Sequence, residues 1–192
     1  MKERLIVFGR IASMLSLLVG VSVVLVSCDG KQKKETAATP SKQATATISS
    51  ASGSEVTGTA VFKQSGDSIT LTVEIQNAAP GLHAVHIHEV GDCSSPDGKS
   101  AGGHWNPTEV AHGEWGVGEF HLGDIGNMTV GDDGTGKIEL TTDKWEMGTG
   151  SIRDIVGKGI IVHADADDFT SQPSGAAGAR IGCGAIALAA SQ

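Results

Sequence analysis

Positive charge is scarce in this chain of 192 residues, where 14 Lys and Arg stand against 22 Asp and Glu. From Gln43 onward the imbalance deepens to 7 basic against 19 acidic side chains. A field of that sign repels polyanions, which excludes nucleic acid as a partner and requires any anionic substrate to meet locally placed positive charge. A helical period is missing too: nowhere do apolar residues recur convincingly every three to four positions, which argues against a helix bundle. The long apolar run, from Ile11 to Val26, has about sixteen residues and falls short of the roughly 20 that a stable membrane span needs. Cysteine is down to three residues and charged residues to 19%, while glycine reaches 27. That balance fits one turn-dense domain with appendages and leaves no room for a second large core.

The N-terminus accounts for part of the length. Lys2, Arg4 and Arg10 precede the apolar run, which ends in Leu25-Val26-Ser27-Cys28. A basic stretch, an apolar stretch and a small residue before the cut make an export signal. The Leu-Val-Ser-Cys ending resembles the bacterial lipoprotein box, in which the cysteine is lipidated and becomes the new N-terminus. On that resemblance residues 1–28 are a lipoprotein signal peptide and Cys28 is the membrane anchor; an uncleaved anchor helix and an ordinary cleaved signal are the alternatives. Residues 29–42 hold almost no large apolar side chain, cannot offset their ordering entropy, and read as a flexible polar tether to a domain at 43–192. With Cys28 assigned to lipid, Cys93 and Cys183 are left as a pair that an oxidising compartment would let join, two free buried thiols being the alternative.

From Val56 the chain alternates as short strands between turn residues: Val56–Phe62, Ser65-Gly66-Asp67, Ile69–Ile75, Pro80-Gly81, Ala84–Glu89. This spacing predicts an antiparallel meander. Further strands are expected over Lys137–Thr141, Gly159–His163 and Ile181–Leu188, and the weak alternation of Gln43–Ser49 suits a first strand. The class is all-β, a sandwich or barrel. Residues from Gly91 to about Gly126 form a connection too long to be idle in a compact domain.

All seven histidines fall between His83 and His163. In Gly81–Glu89, Val85 and Ile87 alternate with His86 and His88, so the two imidazoles share one strand face about 7 Å apart along it. Together with His163, at the end of an apolar strand, they could make a histidine-only centre suited to copper. The long connection carries His104, His112, His121 and Asp124, three imidazoles and a carboxylate, a plausible tetrahedral zinc set. His83 lies three positions before His86, which turns it away from that pair and makes it a structural hydrogen-bonding histidine. Trp105, Trp115 and Trp145 read as packing or surface anchors, and Glu89 and Asp92 as strand-end polar residues.

Five stretches, in order, resemble the copper/zinc superoxide dismutases. They are Gly81-Leu82-His83-Ala84-Val85-His86-Ile87-His88-Glu89-Val90-Gly91-Asp92, Ala101-Gly102-Gly103-His104-Trp105-Asn106-Pro107, His121-Leu122-Gly123-Asp124-Ile125-Gly126-Asn127, Val162-His163-Ala164-Asp165-Ala166-Asp167-Asp168 and Gly178-Ala179-Arg180-Ile181-Gly182-Cys183-Gly184. The resemblance implies an eight-stranded Greek-key β-barrel or sandwich with long metal-binding and active-site loops. It implies one copper per chain on His86, His88, His104 and His163, and one zinc per chain on His104, His112, His121 and Asp124, with the His104 ring shared between them. It further implies that superoxide is converted to dioxygen and hydrogen peroxide by alternate reduction and oxidation of copper. His104 and Arg180 are the catalytic residues on this reading, with Arg180 beside the open copper face. The resemblance further implies that Asp167 hydrogen-bonds a ligand histidine of each metal and that Cys93 and Cys183 form the family disulfide.

Two departures qualify the resemblance. Only twelve residues separate Asp167 from Arg180, with no lysine and no acidic residue after Asp168, so electrostatic steering by that loop is not expected. Cys93 sits eleven residues before His104, farther than in cytosolic members, and with the export signal this resembles the bacterial extracytoplasmic, lipid-anchored type. The expected location is the periplasm or cell surface; a homodimer is compatible with the sequence. The rival is a non-catalytic copper- and zinc-binding protein on the same fold.

Overall fold

The structure, a computed structural model, describes residues 42–190; the export signal, Cys28 and the tether up to residue 41 lie outside the described residues. The strands are β1 (Gln43–Ser50), β2 (Thr57–Ser65), β3 (Ser68–Gln76), β4 (Gly81–His88), β5 (Asp124–Val130), β6 (Gly136–Thr142), β7 (Gly159–His163), β8 (Arg180–Ala185) and β9 (Ala187–Leu188). Among the described residues the only helical element is one 3-10 turn, Lys99–Ala101. Neighbouring strands run β2-β3-β6-β5-β4-β7-β8-β1, and β1 pairs back onto β2, so eight strands close an antiparallel barrel. β9 continues β8 along the same side of β1 after a break at Ile186, whose side chain is buried.

Period-2 patterning explains the wall. In β3, Ile69, Leu71, Val73 and Ile75 turn inward against Phe62 of β2 and Ile48 of β1, while the residues between them are half-buried or exposed. Each such large side chain contributes roughly 1.5–3 kcal/mol by leaving water. The expected strands all form, within a few residues of their predicted ends. The expected meander does not extend past β3. β4 pairs with β5 and β7, and β3 pairs with β6, so the Pro80-Gly81 turn begins a crossover instead of closing a hairpin. These exchanges make the barrel a Greek key. β5 is a strand that its sequence concealed, since Asp124, Gly126 and Asn127 interrupt its apolar alternation.

β4 departs from the half-buried pattern because its last six residues are all buried. Val85 and Ile87 face the core, and His86 and His88 face outward beneath the connection between β4 and β5 and the segment between β7 and β8. The site therefore lies on the outer wall of the barrel, roofed by loops.

Candidate metal centre

Two register shifts set the histidines. β4 slips against β5 between Val85 and His86, and β7 slips against β8 between Val162 and His163. A bulge of this kind re-aims the side chain beside it, and here each falls at a site histidine. His104 is held by the loop backbone, which pairs with β4 as a strand would: Trp105 N–H donates to Ile87 O at 2.8 Å and Glu89 N–H to Gly103 O at 3.0 Å. Ile87 N–H donates in turn to Gly123 O at 2.8 Å. That approach requires glycine at 123, where any Cβ would overlap Ile87 O.

The side chains converge as two groups. His86, His88, His104 and His163 bring one ligating atom each within 4.8 Å of one another, and so do His104, His112, His121 and Asp124. His104 belongs to both. Its ring centroid lies 4.0 Å from that of His86 and 5.4 Å from that of His112. All seven residues are buried, from 0% exposure at His86 to 8% at His104.

Hydrogen bonds fix the tautomers. His88 Nδ1–H donates to Gly102 O at 3.0 Å and His163 Nδ1–H to Gly178 O at 3.4 Å. His86 Nε2–H donates to Asp167 Oδ2 at 2.8 Å, His112 Nε2–H to Asp167 Oδ1 at 2.9 Å and His121 Nε2–H to Val110 O at 3.1 Å. In each ring the other nitrogen is thereby left as a lone pair, and those nitrogens, with Nε2 of His104, are buried without a hydrogen-bond partner. His112 Nδ1 and His121 Nδ1 lie 3.0 and 3.2 Å from the Asp124 oxygens without hydrogen-bond geometry, while His104 Nδ1 is 2.8 Å from Asp124 Oδ1. Lone pairs facing a carboxylate in a dry interior repel unless a cation sits between them. The donor set of each group fits a metal ion, four imidazoles in one case and three imidazoles with a carboxylate in the other.

Electrostatics agree with neutral ligands. Burial pushes His88 down to about 2 and His104 down to about 4, and it holds His163 well below its usual value, with the neighbouring imidazoles adding to the effect. Burial alone would raise Asp124 and Asp167, but hydrogen bonds from His104 and His121 to the first, and from His86, the Phe169 N–H and His112 to the second, outweigh it and leave both lowered. Neutral imidazole and ionised carboxylate are the metal-binding forms.

Over the first group opens a pocket of about 580 Å³ lined by His88, His104, His163, Arg180, Glu89 and Glu109. The Arg180 guanidinium donates to Gly98 O at 2.8 Å and Gly102 O at 2.7 Å, which fixes it against the loop at the pocket wall. The disulfide Cys93–Cys183, with Cα atoms 5.8 Å apart, ties that same loop to β8. A larger open groove of about 900 Å³ crosses the outer face of β1, β2, β3 and β6, but it is lined mainly by threonines and other polar residues and holds no ligating cluster.

His83 hydrogen-bonds His163 O and Ala79 O, each at 2.8 Å, and belongs to neither group. Trp105 and Trp145 are buried in the core, and Trp145 Nε1–H donates to Leu122 O at 2.8 Å. Sequence reasoning missed Asn127, whose side-chain amide donates to Asp167 O at 2.9 Å and accepts from Asp167 N–H at 2.7 Å. It also missed Gly175, at φ +66°, where a Cβ would overlap Asp167 Oδ1 and crowd His112 Nε2. The motif around Asn127 was readable; its clamp on a residue forty positions away was not.

Fold and site together define a class of protein, a Greek-key barrel with two adjoining groups of metal-ligating side chains on its outer wall. A family model described as copper/zinc superoxide dismutase (SODC) matches residues 56–186, and the chain belongs to that family. It is similar to an extracellular superoxide dismutase [Cu-Zn] of Brugia pahangi, at 38% identity over 144 residues, covering 70% of this chain and 71% of the relative. Among solved structures it is similar to the clock protein EA4, with a TM-score of 0.68 at 28% identity over 79% of this chain and 97% of that one. It is also similar to a double mutant of a SOD-like protein from Bacillus subtilis, with a TM-score of 0.67 at 35% identity over 74% of this chain and 96% of that one.

Proposed function

We propose that the chain dismutates superoxide at one copper held by His86, His88, His104 and His163, beside one zinc held by His104, His112, His121 and Asp124. The observation that carries this reading is the set of six buried imidazole nitrogens without partners, converging as two groups that share one ring. Bound copper supplies alternating one-electron oxidation and reduction, and bound zinc none. The residues do the rest. Arg180 lines the pocket as a fixed cation, held on Gly98 O and Gly102 O, and orients a small anion there. His104 Nε2, able to hold a metal or a proton, is the atom at which one of the two required protons is carried. The neighbouring histidines, each pinned through its other nitrogen, keep their lone pairs aimed. Two superoxide ions and two protons give dioxygen and hydrogen peroxide.

The location proposed is extracytoplasmic, of the bacterial lipoprotein type, with residues 1–28 as signal, Cys28 lipidated, 29–42 as tether and 43–192 as the enzyme domain. The disulfide and the extracellular relative support export. A homodimer is compatible with this arrangement. The rival reading is a barrel that holds copper and zinc without turnover; a solved structure of the same fold to which the chain is similar is described only as SOD-like.

The deciding measurement is superoxide decay on copper- and zinc-loaded protein beside His163→Ala. Rapid decay with wild type and its loss in the variant are expected. Equal decay in both, or none in either, removes the enzymatic reading.

A further inference from the structure

Gln172 lies in the segment between β7 and β8, and its side-chain amide grips the backbone of one residue sixty positions earlier. Its Oε1 accepts the His112 N–H at 2.9 Å and its Nε2 donates to His112 O at 2.9 Å, with a third contact from Nε2 to Thr170 O at 3.3 Å. A backbone N–H only donates and a carbonyl only accepts, so the amide has one orientation that satisfies both. The pattern is the doubly bonded pair of an antiparallel ladder, with a side chain standing in for the missing strand. His112 has no strand neighbour of its own, since it falls in the irregular connection between β4 and β5.

We propose that Gln172 is a positioning residue for the zinc site, holding the His112 main chain so that its ring can be aimed. The proposal rests on the second group being that zinc site. Two anchors then act on one residue from one segment. Asp167 holds the ring at Nε2, at 2.9 Å, and Gln172 holds the backbone from which the ring hangs. With both in place Nδ1 has no freedom except toward Asp124, whose Oδ2 is 3.0 Å away. Releasing the Gln172 clamp leaves the ring tethered at Nε2 and the main chain held beside it only by the Gly113 N–H on Asp124 Oδ2 at 3.2 Å, which loosens the metal-binding geometry without removing a ligand. Gln172 also lines the pocket over the first group, so the same clamp joins the mouth of that pocket to the second group. The residue has the right chemistry for this and its neighbours in type do not: Glu accepts but cannot donate to His112 O, and Ala does neither.

The test uses the metal-stripped full chain as wild type, Gln172→Ala and Gln172→Glu. Each is titrated with zinc against a chromophoric chelator, with copper in the same way, and with cobalt(II), whose visible bands report ligand geometry. Gln172 is exposed, so the substitutions leave the core intact. Zinc affinity is expected to fall about tenfold in Gln172→Ala, with Gln172→Glu between it and wild type. The bands of cobalt-saturated variants should change, and copper affinity should fall less than zinc affinity. Unchanged zinc affinity with superimposable cobalt spectra overturns the proposal, as does an equal loss at both groups. A wild type that takes up neither zinc nor cobalt removes the zinc reading itself and the clamp with it.

Discussion

A buried imidazole that gives one N–H to a carbonyl and turns its other nitrogen toward three more imidazoles can only be neutral. His88 is in that position, 1% exposed and held down to about 2, and His104 is held down to about 4. In the unfolded chain each titrates near 6.5. As the pH falls below that value the unfolded chain binds protons that the folded one refuses, so stability present above pH 6.5 is progressively lost, for His104 down to about 4 and for His88 down to about 2. Asp124 and Asp167, lowered in the fold, add losses of the same sign below about 4, where the unfolded carboxylates protonate. The metal-free protein should therefore show a thermal midpoint that drops steadily between pH 7 and pH 4. A midpoint that stays level from pH 7 to pH 5 would contradict neutral, desolvated histidines.

At the scale of elements, the loop after β4 has no core of its own and is held by pairing with β4, by Arg180 on Gly98 O and Gly102 O, and by the disulfide to β8. The disulfide spans 90 positions, for which loop entropy predicts about 4.5 kcal/mol of stabilisation. Replacing both Cys93 and Cys183 by Ser should lower the unfolding free energy in urea by about that amount, and adding reductant to wild type should reproduce it; a change below about 1 kcal/mol would mean that the loop is already closed without the bond. Much of this architecture was legible. Ile69–Ile75 and Gly159–His163 announced their strands by apolar patterning, and six of the seven site positions stood out because His83 is the one further imidazole in the sequence. What stayed hidden depends on partners distant in sequence. β5 reads as loop until β4 pairs with it, the crossover after β3 depends on the distant β6 pairing along Ile69–Ile75, and Asn127 and Gln172 look like solvated amides until the backbones they grip are in place.

For the whole molecule the governing quantity is the acidity of residues 43–192, 7 basic against 19 acidic, facing an anionic substrate. Local charge does not reverse it. The pocket over the first group is lined by Glu89 and Glu109 as well as Arg180, and Lys99 is paired with Asp97 at 2.8 Å. At 10 mM salt the screening length is about 30 Å, so an approaching anion feels the net repulsion of the entire domain; at 100 mM it is about 10 Å and the nearby Arg180 counts for more. The apparent second-order rate for superoxide should therefore rise with ionic strength, by about two- to threefold over that range for a charge of this size on a body of this radius. Replacing Glu89 and Glu109 by Gln should raise the low-salt rate and flatten the slope. A rate that falls as salt is added would show that attraction at Arg180 outweighs the field of the domain, and the acidic surface would then have no hold on how fast the substrate arrives.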